Sequence, residues 1–320
     1  MSFYRGWKIT IGKYELKMLD SVEITHSVDA LSDTAEISLP SAAFNRPFAI
    51  NDKIKRGDTV TIQLGYDDNL VAEFDGFLSQ LPITDNGNLV LKCEDSLFLL
   101  RKRIKNEVLV GCSVKKLLTH VLGEIGGFSL NCSYDFNYDK FTIINATGYD
   151  VLKKVQEETK ANIYLKGNTL HVHPQYVEIH GNVKYDFEVN IELADLKYRN
   201  AEDRPYFVTV ESKSRDGKTV KAEAGTTGGD AMHINVQSVT DKASLQKLAN
   251  EAIKTKSYTG YEGTITGWLI PYVESGYQVR IHDADYEYKT GNYYCIEVKT
   301  KLSQDGGVRT IKLGKKLSDG

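Results

Sequence analysis

Three groups of residues in this sequence are of types that do chemistry. His171 and His173 alternate on the extended run TLHVHP, so both rings project from one face, and His180 follows nearby. Alternate strand positions can share a metal ion, which is the functional reading. The plainer one is a polar strand face beside Pro174, since no carboxylate stands at an evident ligand spacing. Glu157-Glu158 and Asp67-Asp68 are acidic pairs of the kind glycosidases use. Adjacent residues point apart, however, whereas glycoside hydrolysis needs two carboxylates facing each other across roughly 5–9 Å. Glu157 and Glu158 also fall on a helical pattern and read as a solvated face, while Asp67-Asp68 follow Tyr66 in a turn. The glycine-rich AGTTGGDA, from Ala224 to Ala231, shares only composition with a phosphate-cradling loop. Such a loop joins a strand to a helix start and usually carries a Lys. Here no G-K-[ST] follows, and HINVQSV continues as a strand. No G-x-S-x-G elbow and no Ser, His and Asp set stands out. The expectation is no catalytic, cofactor-binding or metal-binding residue, and no enzyme.

Composition narrows the classes further. The four cysteines, Cys93, Cys112, Cys132 and Cys295, are scattered and form no C-x-x-C pair, a usage that fits buried thiols in a reducing compartment. Lys plus Arg number 40 against 43 Asp plus Glu, a formal charge of −3. A duplex binder needs a basic excess to replace phosphate counterions, so sequence-specific nucleic-acid binding is not expected. Basic clusters such as RKRIK, Arg101 to Lys105, read as solvated element ends. The start, MSFYRGWKITIG, lacks the apolar run of a secretory signal, and no window approaches the ~18 apolar residues of a membrane span. The expectation is a soluble protein made in a cytoplasm. At 320 residues and 41% hydrophobic, the chain has material for two or three packed domains.

The elements that must position these residues are mostly short strands. TVTIQLGY puts Val60, Ile62 and Leu64 on one face, and the same period-two alternation recurs in VEITHSV, AEISLP, FVTVES and YQVRIHD. Gly167-Asn168, Asp216-Gly217 and Asp305-Gly306-Gly307 supply the positive-φ chemistry of tight hairpins. Three segments break to helical spacing. Val114, Leu117, Leu118, Val121, Leu122 and Ile125 form a stripe behind a cap at Ser113, with Gly126-Gly127 as its stop. Val151, Leu152 and Val155 follow a cap at Thr147. Leu245, Leu248, Ala249, Ala252 and Ile253 follow one at Asp241. A shift of 219 residues takes Gly57, Val60 and Ile62 onto Gly276, Val279 and Ile281, then Phe74 onto Tyr293, Phe77 onto Ile296 and Gly87 onto Gly306. This predicts two related barrels.

The order of these segments resembles the tail-hub proteins of contractile phages, the late control protein D family. That family includes the Mu-like tail hub and the N-terminal part of type VI secretion spike proteins. RGDTVTIQLGYDDNLVAEFDGFLSQLPI followed by LVLKCEDSLFLLRKR carries the family's G-D-x-V strand, its aromatic F-x-G strand and a strand ending in an acidic residue. Gly57, Asp58, Val60, Phe74, Gly76, Phe77 and Asp95 occupy those places. TGYDVLKKVQEETKANIYLKGNTLHVHP is similar to the family's helix and hairpin, and the segment from Ser275 to Leu317 to its closing meander.

The resemblance implies a β-rich α+β protein, with two barrel-like domains flanking a small α+β domain. The first barrel would take residues 1–100, the α+β domain 101–175, and the second barrel with one helix 176–320, with exchange of segments making domains discontinuous. It also implies a job: a homotrimeric baseplate hub that joins a six-fold tail tube to a three-fold central spike. Its further partners would be other baseplate and tape-measure proteins, and it would sit in the virion tail. Phage, prophage and injection system remain alternatives. Two other functions stay open on the residues: a β-rich carbohydrate-binding or adhesin module, and a tail-associated cell-wall hydrolase. Trp7 and Trp268 suit core or interface equally.

Overall fold

A computed structural model describes residues 4–40, 42–43, 46–47, 54–67, 69–80, 83–85, 88–213, 218–237, 239 and 241–319. Asp68, Gly87 and the expected turn at Asp216-Gly217 lie outside them. Six strands build the first barrel-like unit: β1 (Arg5–Ile11), β2 (Ser21–Ser27), β3 (Thr34–Pro40), β4 (Thr59–Tyr66), β5 (Asn69–Leu78) and β6 (Asn88–Glu94). They pair antiparallel in the order β2-β3-β6-β5-β4-β1. Alternate residues of every strand, among them Ile9, Ile24, Ile37, Ile62, Leu78 and Leu91, meet in one buried core, which requires the sheet to curl around it.

The chain next forms β7 (Glu107–Ser113), α1 (Val114–Ile125), β8 (Ser129–Cys132), β9 (Asn137–Ile143), α2 (Gly148–Thr159), β10 (Asn162–Lys166) and β11 (Thr169–His173). Both helices begin at the caps expected from sequence. Ser113 accepts from Lys116 N–H, and Thr147 forms a reciprocal box with Asp150. Gly167, at φ +59°, turns β10 into β11, as its type requires. Strands β7 and β9 pair with each other, and β8, β11 and β10 form a small sheet in which β8 runs parallel to β11.

After β12 (Asn182–Asp186) and β13 (Leu193–Arg199) comes an excursion: β14 (Tyr206–Lys213), β15 (Thr219–Gly225), β16 (Asp230–Gln237) and α3 (Lys242–Lys256). Asp241 caps α3 through Ala243 N–H and Ser244 N–H. Leu245, Leu248, Val208, Val210 and Ile234 of this excursion share a core with Leu117, Leu118 and Val121 of α1 and Val151 of α2. The middle core is thus drawn from two stretches of sequence. The chain then returns through β17 (Gly260–Trp268), β18 (Gln278–His282), β19 (Gly291–Ser303) and β20 (Gly306–Asp319). The last turn falls on Gln304 and Asp305, with Gly306 already paired to Ser303.

These strands repeat the first unit. Their order is β13-β17-β20-β19-β18-β12, matching β2-β3-β6-β5-β4-β1 strand for strand, around a core of Tyr185, Ile265, Val279, Ile281, Tyr293, Val298 and Ile311. Only the last strand differs in sense: β12 runs parallel to β18, while β1 runs antiparallel to β4. Gly57 and Gly276 both have positive φ, +91° and +83°, at the entry to matching strands. Gly57 N–H donates to Leu78 O at 2.8 Å and Leu78 N–H returns to Asp58 O at 2.9 Å. Gly276 N–H donates to Cys295 O at 2.8 Å and Cys295 N–H returns to Tyr277 O at 2.8 Å. The fixed shift fails one strand later. Val60 faces Gly76 and Val279 faces Tyr293, so Tyr293 corresponds to Gly76 rather than to Phe74. The connections between the paired strands differ in length, and a bulge at Ile62/Gln63 occurs in the first copy, so register slips by two residues.

Candidate functional site

The residues that carried the resemblance are placed to shape the first barrel. Val60 and Phe74 are core residues, and Asp58 accepts from Lys55 N–H in the turn before β4. Phe77 stacks on Phe98 with centroids 5.6 Å apart, and Asp95 caps the short helical turn Ser96–Leu100. A Cβ on Gly76 would lie 2.2 Å from the Glu94 carbonyl oxygen, so only glycine fits where the backbones cross.

Of the acidic pairs, Asp67-Asp68 cannot be placed because Asp68 lies outside the described residues, and Glu157 and Glu158 do not face each other. Glu157 is exposed beside Lys153, while Glu158 is buried on α2 and held above the usual carboxylate range by burial. The glycine-rich stretch connects β15 to β16, strand to strand, and its Asp230 pairs with Arg204. Cys93, Cys112 and Cys295 are buried, and all four thiols are free. His171 and His173 do share a face, and His180 joins their neighbourhood.

Sequence reasoning missed a polar node between the two barrels. Arg309 of β20 and Glu73 of β5 are both buried and pair bidentately, Nη1 to Oε2 at 3.0 Å and Nη2 to Oε1 at 2.7 Å. Nη1 also reaches Thr300 Oγ1 at 2.9 Å, and Nη2 the Leu269 carbonyl at 3.0 Å. Two signals in the sequence mark this node. Arg309 shares the inward phase of β20 with Gly307, Ile311 and Leu313, where a lone charge needs a partner. Glu73 is the extra residue of the β5 bulge, which turns it inward beside Phe74.

His26 on β2 extends the node. Its Nε2 lies 2.8 Å from the Glu73 carbonyl oxygen and its Nδ1 2.8 Å from Asp33 Oδ2. Burial works against a charged ring, but the Asp33 carboxylate and the two hydrogen bonds outweigh it and carry the His26 pKa up to about 9. A pKa raised above the unfolded value of about 6.5 gives stability that is complete below pH 6.5 and is lost as pH rises through 9. We expect wild-type unfolding free energy to fall by on the order of 3 kcal/mol over that window. His26→Gln should remove that slope when denaturant unfolding is followed from pH 6 to 9.5. A slope that persists in the variant would assign it to other groups.

Exposed apolar surface is also visible. Val189, Leu193, Trp268 and Ile270 are exposed on the second barrel. A groove of about 890 Å³ runs between Trp268, Ile270 and Val189 on that side and Arg5 and Tyr66 of the first barrel. Trp268 is therefore surface, whereas Trp7 packs against the first core. Among the described residues, β12 and β13 pair on one side only, and β1 pairs beyond β4 only at Thr10 and Ile11. Such edges are covered or blunted in stable β proteins.

No family model matches the chain, and no curated protein matches it. Solved structures do. The fold is shared with solved phage and prophage tail proteins. The 43 kDa tail protein of prophage MuSo2 from Shewanella oneidensis is 16% identical, with a TM-score of 0.64 and 98% of each chain covered. A tail protein from Neisseria meningitidis is also 16% identical at TM-score 0.64, covering 97% of this chain and 96% of that one. A type VI secretion component of E. coli is 10% identical at TM-score 0.57, covering 98% of this chain and 77% of that one. At these identities the likeness is one of fold. No helix among the described residues is long and apolar enough to cross a membrane.

Proposed function

We propose that this chain is a structural, non-enzymatic baseplate hub of a phage tail or phage-like contractile injection particle. Three copies would close into a ring that joins a six-fold tail tube to a three-fold central spike. The observation that carries this reading is the repeated six-strand order of the two barrels. Two similar barrels in each of three chains make six quasi-equivalent units facing the tube, while the other face keeps three-fold symmetry. Closed rings need heterologous, self-closing contacts. Among the described residues, the one-sided edges of β12 and β13, the part of β1 before Thr10 and the apolar strip around Trp268 supply surfaces of that kind. Tube and spike proteins, with other baseplate and tape-measure components, are the proposed partners, in the virion tail after assembly in a bacterial cytoplasm.

Light scattering after gel filtration, over a dilution series of purified chain, tests the reading. The expected mass is three times 35.9 kDa, and Trp268→Asp should shift the protein towards monomer. A monomer at every concentration that stays monomeric when spike protein is added would overturn it.

A further inference from the structure

Strand β7 and helix α1 bring three metal-ligating side chains together at a place the assembly reading does not use. His120 and Glu124 stand four residues apart on α1, so they are neighbours at the margin of its buried stripe. Glu107 reaches them from the first position of β7, where it pairs with Ile143 of β9. Nε2 of His120 lies 2.9 Å from Glu107 Oε2 and 3.2 Å from Glu124 Oε1, and the three donor atoms all fall within 4.8 Å of one another.

These spacings suit a shared ion. Donors about 2.0–2.2 Å from zinc stand about 2.9 Å apart across a right angle and about 3.3 Å apart across a tetrahedral one. A plain imidazole–carboxylate hydrogen bond does not account for the contact. His120 Nε2 is cut off from solvent and, despite two near oxygens, has no hydrogen-bond partner. Both oxygens therefore lie off the line along which its proton or lone pair points. An ion on that line, with the oxygens beside it, satisfies all three atoms. It also neutralises two carboxylates that otherwise converge on one ring.

The supports fit as well. A ligating carboxylate normally has its second oxygen held by an outer partner. Glu124 Oε2 accepts from Lys105 N–H at 2.9 Å, leaving Oε1 on the His120 side. Asn106 Oδ1 accepts from Asn145 N–H at 2.7 Å, which fixes the residue before Glu107. One imidazole and two carboxylates, with no thiolate, suit a small divalent ion that takes both nitrogen and oxygen. We propose that Glu107, His120 and Glu124 form a binding site for a divalent ion of the zinc class, with water completing the shell. The ion would clamp the start of β7 to the second half of α1, adding to the contact Lys105 makes there. His171 and His173 meet in an ordinary imidazole–imidazole hydrogen bond at 3.4 Å and serve as the control.

Chelator-stripped full-length protein, titrated with Zn2+ by calorimetry, provides the test. One ion per chain is expected. His120→Gln, Glu107→Gln and Glu124→Gln should each weaken binding at least as much as loss of an outer-shell partner does, about ten- to a hundredfold. Saturating Zn2+ should raise the melting temperature of the wild type and leave that of His120→Gln where it was. The His171→Gln/His173→Gln double variant should bind as the wild type does. X-ray absorption at the zinc edge of loaded wild-type protein should show one imidazole and oxygen neighbours at about 2.0–2.2 Å, without sulfur. That readout does not depend on any variant folding. Absence of saturable binding, undiminished binding in His120→Gln, loss of binding in the control, or a shell with two imidazoles or a thiolate would each overturn the proposal.

Discussion

Arg309→Met is expected to destabilise the protein by about 3–5 kcal/mol, because it strands a buried carboxylate. Glu73 is about as buried as its partner, and without the guanidinium its two oxygens lose their short, bidentate ion pair. Glu73→Gln should cost a similar amount by leaving the cation without its counter-charge. The double variant should recover most of the loss, since an apolar side chain opposite a neutral amide removes both charges together. Denaturant unfolding of the three variants beside the wild type reads this directly. Strictly additive losses would mean that the pair is not coupled. Because the pair spans the two barrels, unfolding followed by separate probes should also stop coinciding in the single variants.

Gly76→Ala should be nearly as damaging, at about 3 kcal/mol or more, the upper end of overpacking effects. The added methyl would sit 2.2 Å from the Glu94 carbonyl oxygen and 2.8 Å from the Phe74 ring. The oxygen belongs to backbone held by the β5–β6 pairing of Glu94 with Phe77, so it cannot swing aside as a flexible side chain would. Gly123→Ala is the paired control. It lies exposed on α1 with nothing within 4 Å of an added Cβ, and should stabilise by about 0.5–1 kcal/mol. Thermal and denaturant melts of both variants check the contrast. Equal effects would show that helix and strand propensity, not the crossing, decides the outcome.

Much of the fold is legible along the chain because it is local. Ser113, Thr147 and Asp241 stand one residue before their helices, and the side-chain oxygen of each reaches a backbone N–H within three residues. Inward alternation in TVTIQLGY and YQVRIHD needs only the pleat, and these two runs also reveal the repeat. Connection length is harder to read, so the fixed shift drifts off register at Phe74 and Tyr293. Pairing between distant strands leaves no mark in either strand. Nothing in VEITHSV names residues 297–303 as its neighbours. The excursion from Tyr206 to Lys256 likewise has ordinary strand and helix patterns, and only packing shows that it completes the α1–α2 core. The histidine cluster was half legible. The alternation of His171 and His173 is in the sequence, but Ser133 and His180 reach it only through folding.

Strand β19 belongs to both barrels. Its first residues pair with β18, and Glu297–Ser303 pair with Ser21–Ser27 of β2. The first barrel therefore borrows an edge from sequence some 270 residues downstream. During synthesis on a ribosome, β2 would present an unsatisfied edge until β19 emerges, by which time the other strands of its own barrel have long been made. Sheets joined over such separations form slowly, and open edges invite pairing with other chains in the interval. Yield of assembled protein in the cell should thus depend on the rate of this late closure as well as on final stability.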